Sequence, residues 1–466
     1  MSRLVSVKGC VPAGLAGRNV GTVKGYHTAV RKITSSQIIM AGFACVILLG
    51  TLLLMLPFSS REGVNVTFLD SLFTSTSAVC VTGLVVHDTA TCWSPAGQLI
   101  IMLLIQVGGM GVITVAALFA LMSGKRISLM QRSTMQEAIS APAVGGIVRL
   151  TRFIIKSTFI LELGGAAVMA PVFVRDFGAR GLWMALFHSV SAFCNAGFDL
   201  LGTREQFSSL TSYAADPAVN IVIMFLITAG GIGFLTWDDM RANGFRLRRY
   251  RMQTKVILCA SLCLLVLPAL YFFFFEFGGL PFKERLLASL FQSVTPRTAG
   301  FNTVDLEAVS EPGWFVIIAL MLIGGSPGST AGGMKTTTVA VLGAAAVSTF
   351  CRREHAHFFG RRVGDDVVKH AATVLLMYVA LFWMGGLALS ILEGLPMSLC
   401  LFETASAIGT VGLTLGVTPG LGAASRLILI LLMFFGRVGG LTLIFAVLSG
   451  KQKDLCMLPR EDITVG

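Results

Sequence analysis

Apolar residues in this chain neither alternate nor keep to one helical stripe; they run in blocks. A hydrocarbon core of about 30 Å needs about 20 helical residues at a rise of about 1.5 Å each. Eight blocks are of that order, near 37–56, 96–121, 154–174, 219–235, 256–275, 315 onward, 371–392 and 427–448. Between the members of each pair lies a shorter block, at 67–79, 182–193, 284–293 and 397–408. About a dozen helical residues rise only about 18 Å, which predicts a re-entrant half-span.

Each short block closes in a glycine-containing loop, and the loops resemble one another. SAVCVTGL at 77–84 recurs as SAFCNAGF at 191–198 and SAIGTVGL at 406–413, with a weaker copy ending in Arg297-Thr298-Ala299-Gly300-Phe301. The glycines at 83, 197, 300 and 412 are separated by 114, 103 and 112 residues, the self-similarity of four internal copies. The predicted fold is an all-α polytopic membrane protein with four span–half-span–span repeats, at 36–123, 147–243, 254–349 and 366–449. An arm at 1–35 precedes them and a tail at 450–466 follows. Each copy crosses fully twice, so all four loops face the same side, unlike the inverted repeats of many secondary transporters. Irregular backbone at membrane depth is tolerated only where it is buried or lines water. A pseudo-fourfold arrangement around a central pore meets that condition.

Composition agrees with a membrane protein: 55% of residues are hydrophobic, 13% are charged, and the mean hydropathy is +0.80. The net charge of +12 would suggest nucleic acid in a soluble chain. Here the basic residues collect in the arm and in alternate connections at 125–156, 241–255 and 352–369, while Asp88, Asp176, Asp199, Glu205, Asp216, Asp305, Glu307 and Glu311 fall in the others. By the positive-inside rule both termini and the basic loops are expected to be cytoplasmic, in a multi-pass protein of the cell membrane. Membrane lipid, and not nucleic acid, is the expected surroundings. The arm lacks the apolar core of a secretory signal and reads as a cytosolic tail, with an organellar presequence as the alternative. The ten cysteines form no CxxC pair, and Cys259 and Cys263 read as packing or lipid-facing residues.

Selecting a cation requires oxygen dipoles close enough to replace its hydration water. A loop of small residues offers its carbonyls without bulky side chains intruding. The candidate lining is Cys80, Val81, Thr82 and Gly83; Cys194, Asn195, Ala196 and Gly197; Thr298, Ala299 and Gly300; and Thr410, Val411 and Gly412. The competing reading is glycine contact between packed helices. Cys80 and Cys194 hold places equivalent to Gly409 and Arg297, so the four walls are expected to differ.

The four units, Thr410-Val411-Gly412 and the run GGSPGSTAGGMKTTT at 324–338 resemble the Trk/Ktr/HKT superfamily of potassium uptake proteins. The likeness spans nearly all the chain after the basic arm, and the layout is most similar to the membrane subunits of Ktr systems. The resemblance implies a potassium-translocating subunit with K+ at the filter carbonyls, no covalently bound cofactor, and pairing as a homodimer. It also implies a cytoplasmic ring of regulatory subunits, with nucleotide bound only on that partner. The filter glycine of each unit is matched by Gly83, Gly197, Gly300 and Gly412.

The glycines and proline at Gly324, Gly325, Pro327, Gly328, Gly332 and Gly333 cannot sustain a helix interior. The resemblance makes this segment an intramembrane gate beneath the filter, with Ser326, Ser329 and Thr330 supplying hydroxyls to freed backbone groups. A Walker-like phosphate loop is disfavoured, because Met334 interrupts the Gly-Lys pair and no strand precedes it. Arg437, near the middle of the last span, is expected to face the pore and restrain the gate, the alternative being a buried salt bridge with Glu162. Lys335 reads either as a pore-edge charge or as a cytosolic anchor.

His355 and His357 read as a solvated face, and His87 and His188 are expected near the outer vestibule. Asp70 and Glu403 read equally as vestibule charges and as anchors of their half-helices. A catalytic role is not expected, since HExxH and a convincing acid pair within the spans are both missing. A gated potassium pathway leads, and a Na+- or H+-coupled symporter of the same superfamily is the alternative.

Overall fold

The structure is a computed structural model that describes residues 34–122, 129–139 and 145–440. The basic arm through residue 33, the end of the fourth predicted repeat and the tail at 450–466 lie outside the described residues.

Helices follow in the order α1 (Ser35–Leu54), α2 (Phe68–Cys80), α3 (Thr89–Cys92), α4 (Pro95–Met110), α5 (Val112–Met122), α6 (Leu129–Ile139), α7 (Ile147–Phe177), α8 (Arg180–Cys194), α9 (Pro217–Ile232) and α10 (Phe234–Asn243). The order continues with α11 (Met252–Tyr271), α12 (Phe282–Val294), α13 (Glu311–Leu322), α14 (Thr336–Phe350), α15 (Asp365–Glu393), α16 (Met397–Gly409) and α17 (Ala423–Val438). A two-stranded hairpin, β1 (His357–Phe358) and β2 (Arg361–Arg362), precedes α15. Local chemistry sets many of the starts. Thr34 with Gln37 and Thr67 with Asp70 form capping boxes. Ser94 and Asp216 cap helices that begin with proline, where the missing N–H is no loss.

Eight full spans were expected, yet four described helices are long and apolar enough to cross a membrane: α1, α7, α11 with its π-turn to Glu276, and α15. The remaining predicted spans are broken. Gly111 separates α4 from α5, Gly233 separates α9 from α10, and Gly439 ends α17, with φ of 86°, 96° and 88°. Only glycine holds that left-handed conformation without strain. Across Gly233 the axis turns by 92°. Between α13 and α14 the break is the loop 323–335.

Packing runs opposite to that of a water-soluble bundle. The C-terminal halves of the short helices are buried, including hydroxyl residues such as Ser75, Thr76 and Ser77, and in α2 the burial reaches back to Ser71 and Thr74. The long helices expose leucines outward, among them Leu52, Leu163 and Leu267. Apolar solvent around the outside favours this sorting, because a hydroxyl facing lipid would lack a partner while one in the interior finds a carbonyl. Ser75 Oγ donates to the Ile47 carbonyl at 2.7 Å, and Ser189 Oγ donates to the Glu162 carbonyl at 2.5 Å. The long helices thus position the short ones, and the short ones deliver the glycine loops to one place.

Candidate functional site: four glycine segments and the loop against them

Three short helices end alike. Val81, Asn195 and Thr410 close α2, α8 and α16 in the left-handed conformation, with φ of 58°, 60° and 52°. Thr298 takes the same sign at 76°. The next amide turns back to its helix: Thr82 to the Ser77 carbonyl at 2.8 Å, Ala196 to Ser191 at 2.7 Å, Val411 to Ser406 at 2.8 Å. Two residues beyond each turn, Gly83, Gly197, Gly300 and Gly412 all have positive φ. A side chain at Gly83 would strike the Ala196 carbonyl, one at Gly197 that of Ala299, one at Gly300 that of Val411, and one at Gly412 that of Thr82. The segments therefore meet in a closed circuit that runs in chain order and leaves no room for a Cβ.

The circuit is not uniform. Ser77 and Ser406 hydroxyls accept the amides of Gly83 and Gly412, each at 3.0 Å. The second and third segments are tied sideways, Asn195 to Thr298 at 3.1 Å. Cys80, Cys194, Ala196, Ala299 and Thr410 are all buried.

The loop 323–335 lies directly against this circuit. Its ends are joined by the Gly324 amide to the Met334 carbonyl at 2.7 Å and by Thr336 to Gly325 at 3.1 Å. Ser326 and Thr330 amides donate to the Gly231 and Gly230 carbonyls, Gly333 donates to Gly436, and the Gly328 carbonyl accepts from Phe234. Pro327 packs its carbonyl on Gly233, and Gly332 packs on the Thr410 side chain. Thr330 Oγ1 donates to the Phe193 carbonyl at 3.0 Å, one residue before Cys194. Ser326 Oγ meets Thr336 Oγ1 at 3.1 Å, and Ser329 Oγ reaches the Ala331 carbonyl at 3.5 Å. Lys335 Nζ turns back onto the Ala331 and Gly332 carbonyls at 2.9 and 3.4 Å. The backbone groups freed from helical pairing are thus largely re-satisfied within the protein.

Arg437 stands where the first two copies have Gly109 and Gly231. The register follows from Gly108, Gly230 and Gly436, which pack on the Val79, Phe193 and Ile408 carbonyls. Its guanidinium donates to the Thr330 and Gly108 carbonyls and to that of Gly109 at 3.2 Å. Loop, α4 and α17 are thereby tied at one point. Glu162 instead bonds Gln106 Nε2 at 3.2 Å and lies 3.8 Å from Cys194 Sγ.

A cavity of about 330 Å³ lies beside the loop, lined by Lys335, Arg437, Tyr378, Gly328, Glu137 and Ile139 among others. Glu137 and Ile139 come from α6, inside a stretch read from the sequence only as a basic connection. A Cβ at Gly328 would press on the Ile139 carbonyl, and Ser36 Oγ donates to Glu137 at 2.5 Å. The signal was present but faint: Met135 and Ile139, four residues apart on one helix face, are the buried pair.

The remaining candidates sort by partner. Asp70 is buried, accepts from Thr67, and pairs with Arg426 at 2.8 Å. Glu403 is buried and accepts from the Thr414 and Thr418 hydroxyls and the Leu415 amide. Both serve as anchors. His188 is enclosed by Phe173, Phe187 and Phe301 and bonds the Met184 carbonyl at 2.7 Å. His355 faces Asp365 and His357 faces Arg353, both near the hairpin. Asp199, in the α8–α9 connection two residues past Gly197, is half-buried; burial, with a smaller contribution from Asp88, pushes its carboxyl up to about 7.

Residues 19–454 match the sequence profile of the family described as TrkH, cation transport protein. The chain is 39% identical over 448 residues to the potassium/sodium uptake protein NtpJ of Enterococcus hirae, covering 94% of this chain and 98% of that one. It is 38% identical to the Ktr system potassium uptake protein B of Bacillus subtilis, covering 91% and 95%. In fold it resembles the crystal structure of the potassium transporter TrkH from Vibrio parahaemolyticus, with a TM-score of 0.72 at 18% identity over 91% of this chain and 86% of that one.

Proposed function

The chain belongs to the TrkH family of cation transport proteins, and from that premise we propose that it is the potassium-translocating membrane subunit of a Ktr/Trk-type uptake system. In this reading the four predicted repeats form a pseudo-fourfold ring, the glycine segments are its selectivity filter, and the loop 323–335 is its gate. The observation that carries the proposal is the closed circuit of Gly83, Gly197, Gly300 and Gly412 against the carbonyls of Thr82, Ala196, Ala299 and Val411. Carbonyl oxygens brought together without side chains replace the hydration shell of a K+ ion in transit. The short helices aim their C-terminal ends at these turns, and the negative end of each helix dipole favours a cation there. Arg437 holds the gate closed by fastening Thr330 to α4.

A homodimer and a cytoplasmic nucleotide-binding ring complete the assembly, with the termini on the cytoplasmic side. Exposed Arg248, Arg249 and Arg251, beside the start of α11, offer an acidic partner a docking surface. Neutralising these three arginines weakens co-purification with the regulatory subunit; an undiminished complex would remove them from the interface.

The alternative reading is a Na+- or H+-coupled symporter, favoured by the potassium/sodium description of the Enterococcus hirae relative. Potassium-loaded liposomes separate the two. Near-Nernstian K+ movement independent of any Na+ or proton gradient marks a gated pathway, and uphill accumulation driven by either gradient marks coupling. Absence of K+ flux in both conditions rejects both.

A further inference from the structure

Glu162 lies halfway along α7 and is 2% exposed, while its neighbours Leu163 and Ile160 are 60% and 59% exposed on the outer flank of the same helix. Its Oε2 accepts from Gln106 Nε2 of α4 at 3.2 Å, its Oε1 is within 3.8 Å of the Cys194 thiol, and its main-chain carbonyl accepts from Ser189 Oγ at 2.5 Å. Among the described residues it has no ion-pair partner, and its side-chain contacts are Gln106 and Cys194. A carboxyl group in the membrane interior is costly to keep.

Packing alone does not demand it. The first copy makes the same helix-to-helix contact, Ser75 Oγ on the Ile47 carbonyl, with an isoleucine at the equivalent place. Both short helices end in a cysteine, Cys80 and Cys194, and what differs is the residue that follows. Cys194 is the last residue of α8, and the next residue, Asn195, both takes the left-handed turn and bonds Thr298 of the third segment. The gate loop touches the same root, through Thr330 Oγ1 on the Phe193 carbonyl. Glu162 thus contacts the root of a segment that is hydrogen-bonded both to its neighbour and to the gate loop.

We infer that Glu162 is a positioning residue for cation selection, holding the root of the second glycine segment in place through Cys194 and Gln106. The inference rests on reading the glycine circuit as the filter. Gln106 ties the brace to α4 three residues before the Gly109 carbonyl that Arg437 grips, so displacement of the gate is transmitted to the same segment.

The test compares K+ and Na+ flux in proteoliposomes for the full chain and for Glu162→Ile, Glu162→Asp and Gln106→Leu. Glu162→Ile installs the side chain of the first copy and is expected to lower the K+/Na+ flux ratio about fivefold, the scale of one lost hydrogen bond. Glu162→Asp restores part of the ratio, and Gln106→Leu, which keeps the carboxylate but withdraws its donor, lowers it less. A purely structural role would reduce both fluxes together and leave the ratio unchanged, and that result overturns the inference. Should Glu162→Ile fail to assemble, the ratio in Gln106→Leu decides. If the unsubstituted chain itself shows no preference for K+, the filter reading fails; if it is selective and every variant matches it, only the role of Glu162 fails.

Discussion

Arg426 of α17 and Asp70 of α2 form an ion pair at 2.8 Å across 356 positions of sequence. It joins the last copy to the first. Asp70 is also the capping-box residue of α2, so one carboxylate fixes both the start of a short helix and its place against α17. Arg426→Ala leaves that carboxylate buried with its Thr67 hydrogen bonds and His87 at 3.4 Å, and with no arginine. Loss of one partner from a largely buried pair costs about 3 kcal/mol. A thermal unfolding scan should show a lowered midpoint, with Arg426→Lys intermediate; an unchanged midpoint would mean that the pair contributes nothing to stability.

Arg437→Ala releases Thr330 from α4. Each charge-assisted hydrogen bond contributes about 1.5–3 kcal/mol, so basal K+ flux without any regulatory subunit is expected to rise at least about tenfold, by the exponential dependence of rate on barrier height. Flux at the level of the unsubstituted protein would assign the restraint to the loop's backbone bonds with Gly230 and Gly436.

Gly83→Ser and Gly412→Ser place a Cβ at φ of 95° against the carbonyls of Ala196 and Thr82. The expected outcome is a relaxed K+-over-Na+ ratio in protein that still assembles, because the strain falls on two carbonyls and leaves the long helices untouched. Unchanged selectivity in folded variants would move the filter elsewhere.

Asp199 supplies a pH dependence. With its carboxyl raised to about 7, it is largely neutral at pH 6 and ionised at pH 8. Negative charge beside the glycine circuit attracts cations, so the K+ half-saturation concentration should fall as pH rises through 7. Stability should move the other way. The unfolded chain ionises near the ordinary value of 3.8 while the folded chain holds the proton, so folding is favoured below that value and the advantage is lost as pH climbs to 7. Asp199→Asn flattens both profiles; a half-saturation that still shifts across this window points to another group.

The apolar blocks, the short helices α2, α8, α12 and α16, and the glycine turns that follow them are legible along the chain because helix length, capping and turn chemistry are set by adjacent residues. The family was legible too, from Thr410-Val411-Gly412 and the run at 324–338. The breaks at Gly111, Gly233 and Gly439 were not, since one glycine in an apolar run is compatible with a continuous helix until neighbouring backbone competes for its space. Nor was the position of α6, whose Met135 and Ile139 form a face only two residues wide. Sequence by itself determined which segments are apolar, which are short, and where the backbone must turn. The partnerships of Arg426 with Asp70, Arg437 with Thr330 and Glu162 with Cys194 were decided only by tertiary structure, because each joins groups on separate elements, and no local propensity records which buried polar group another helix will bring within reach.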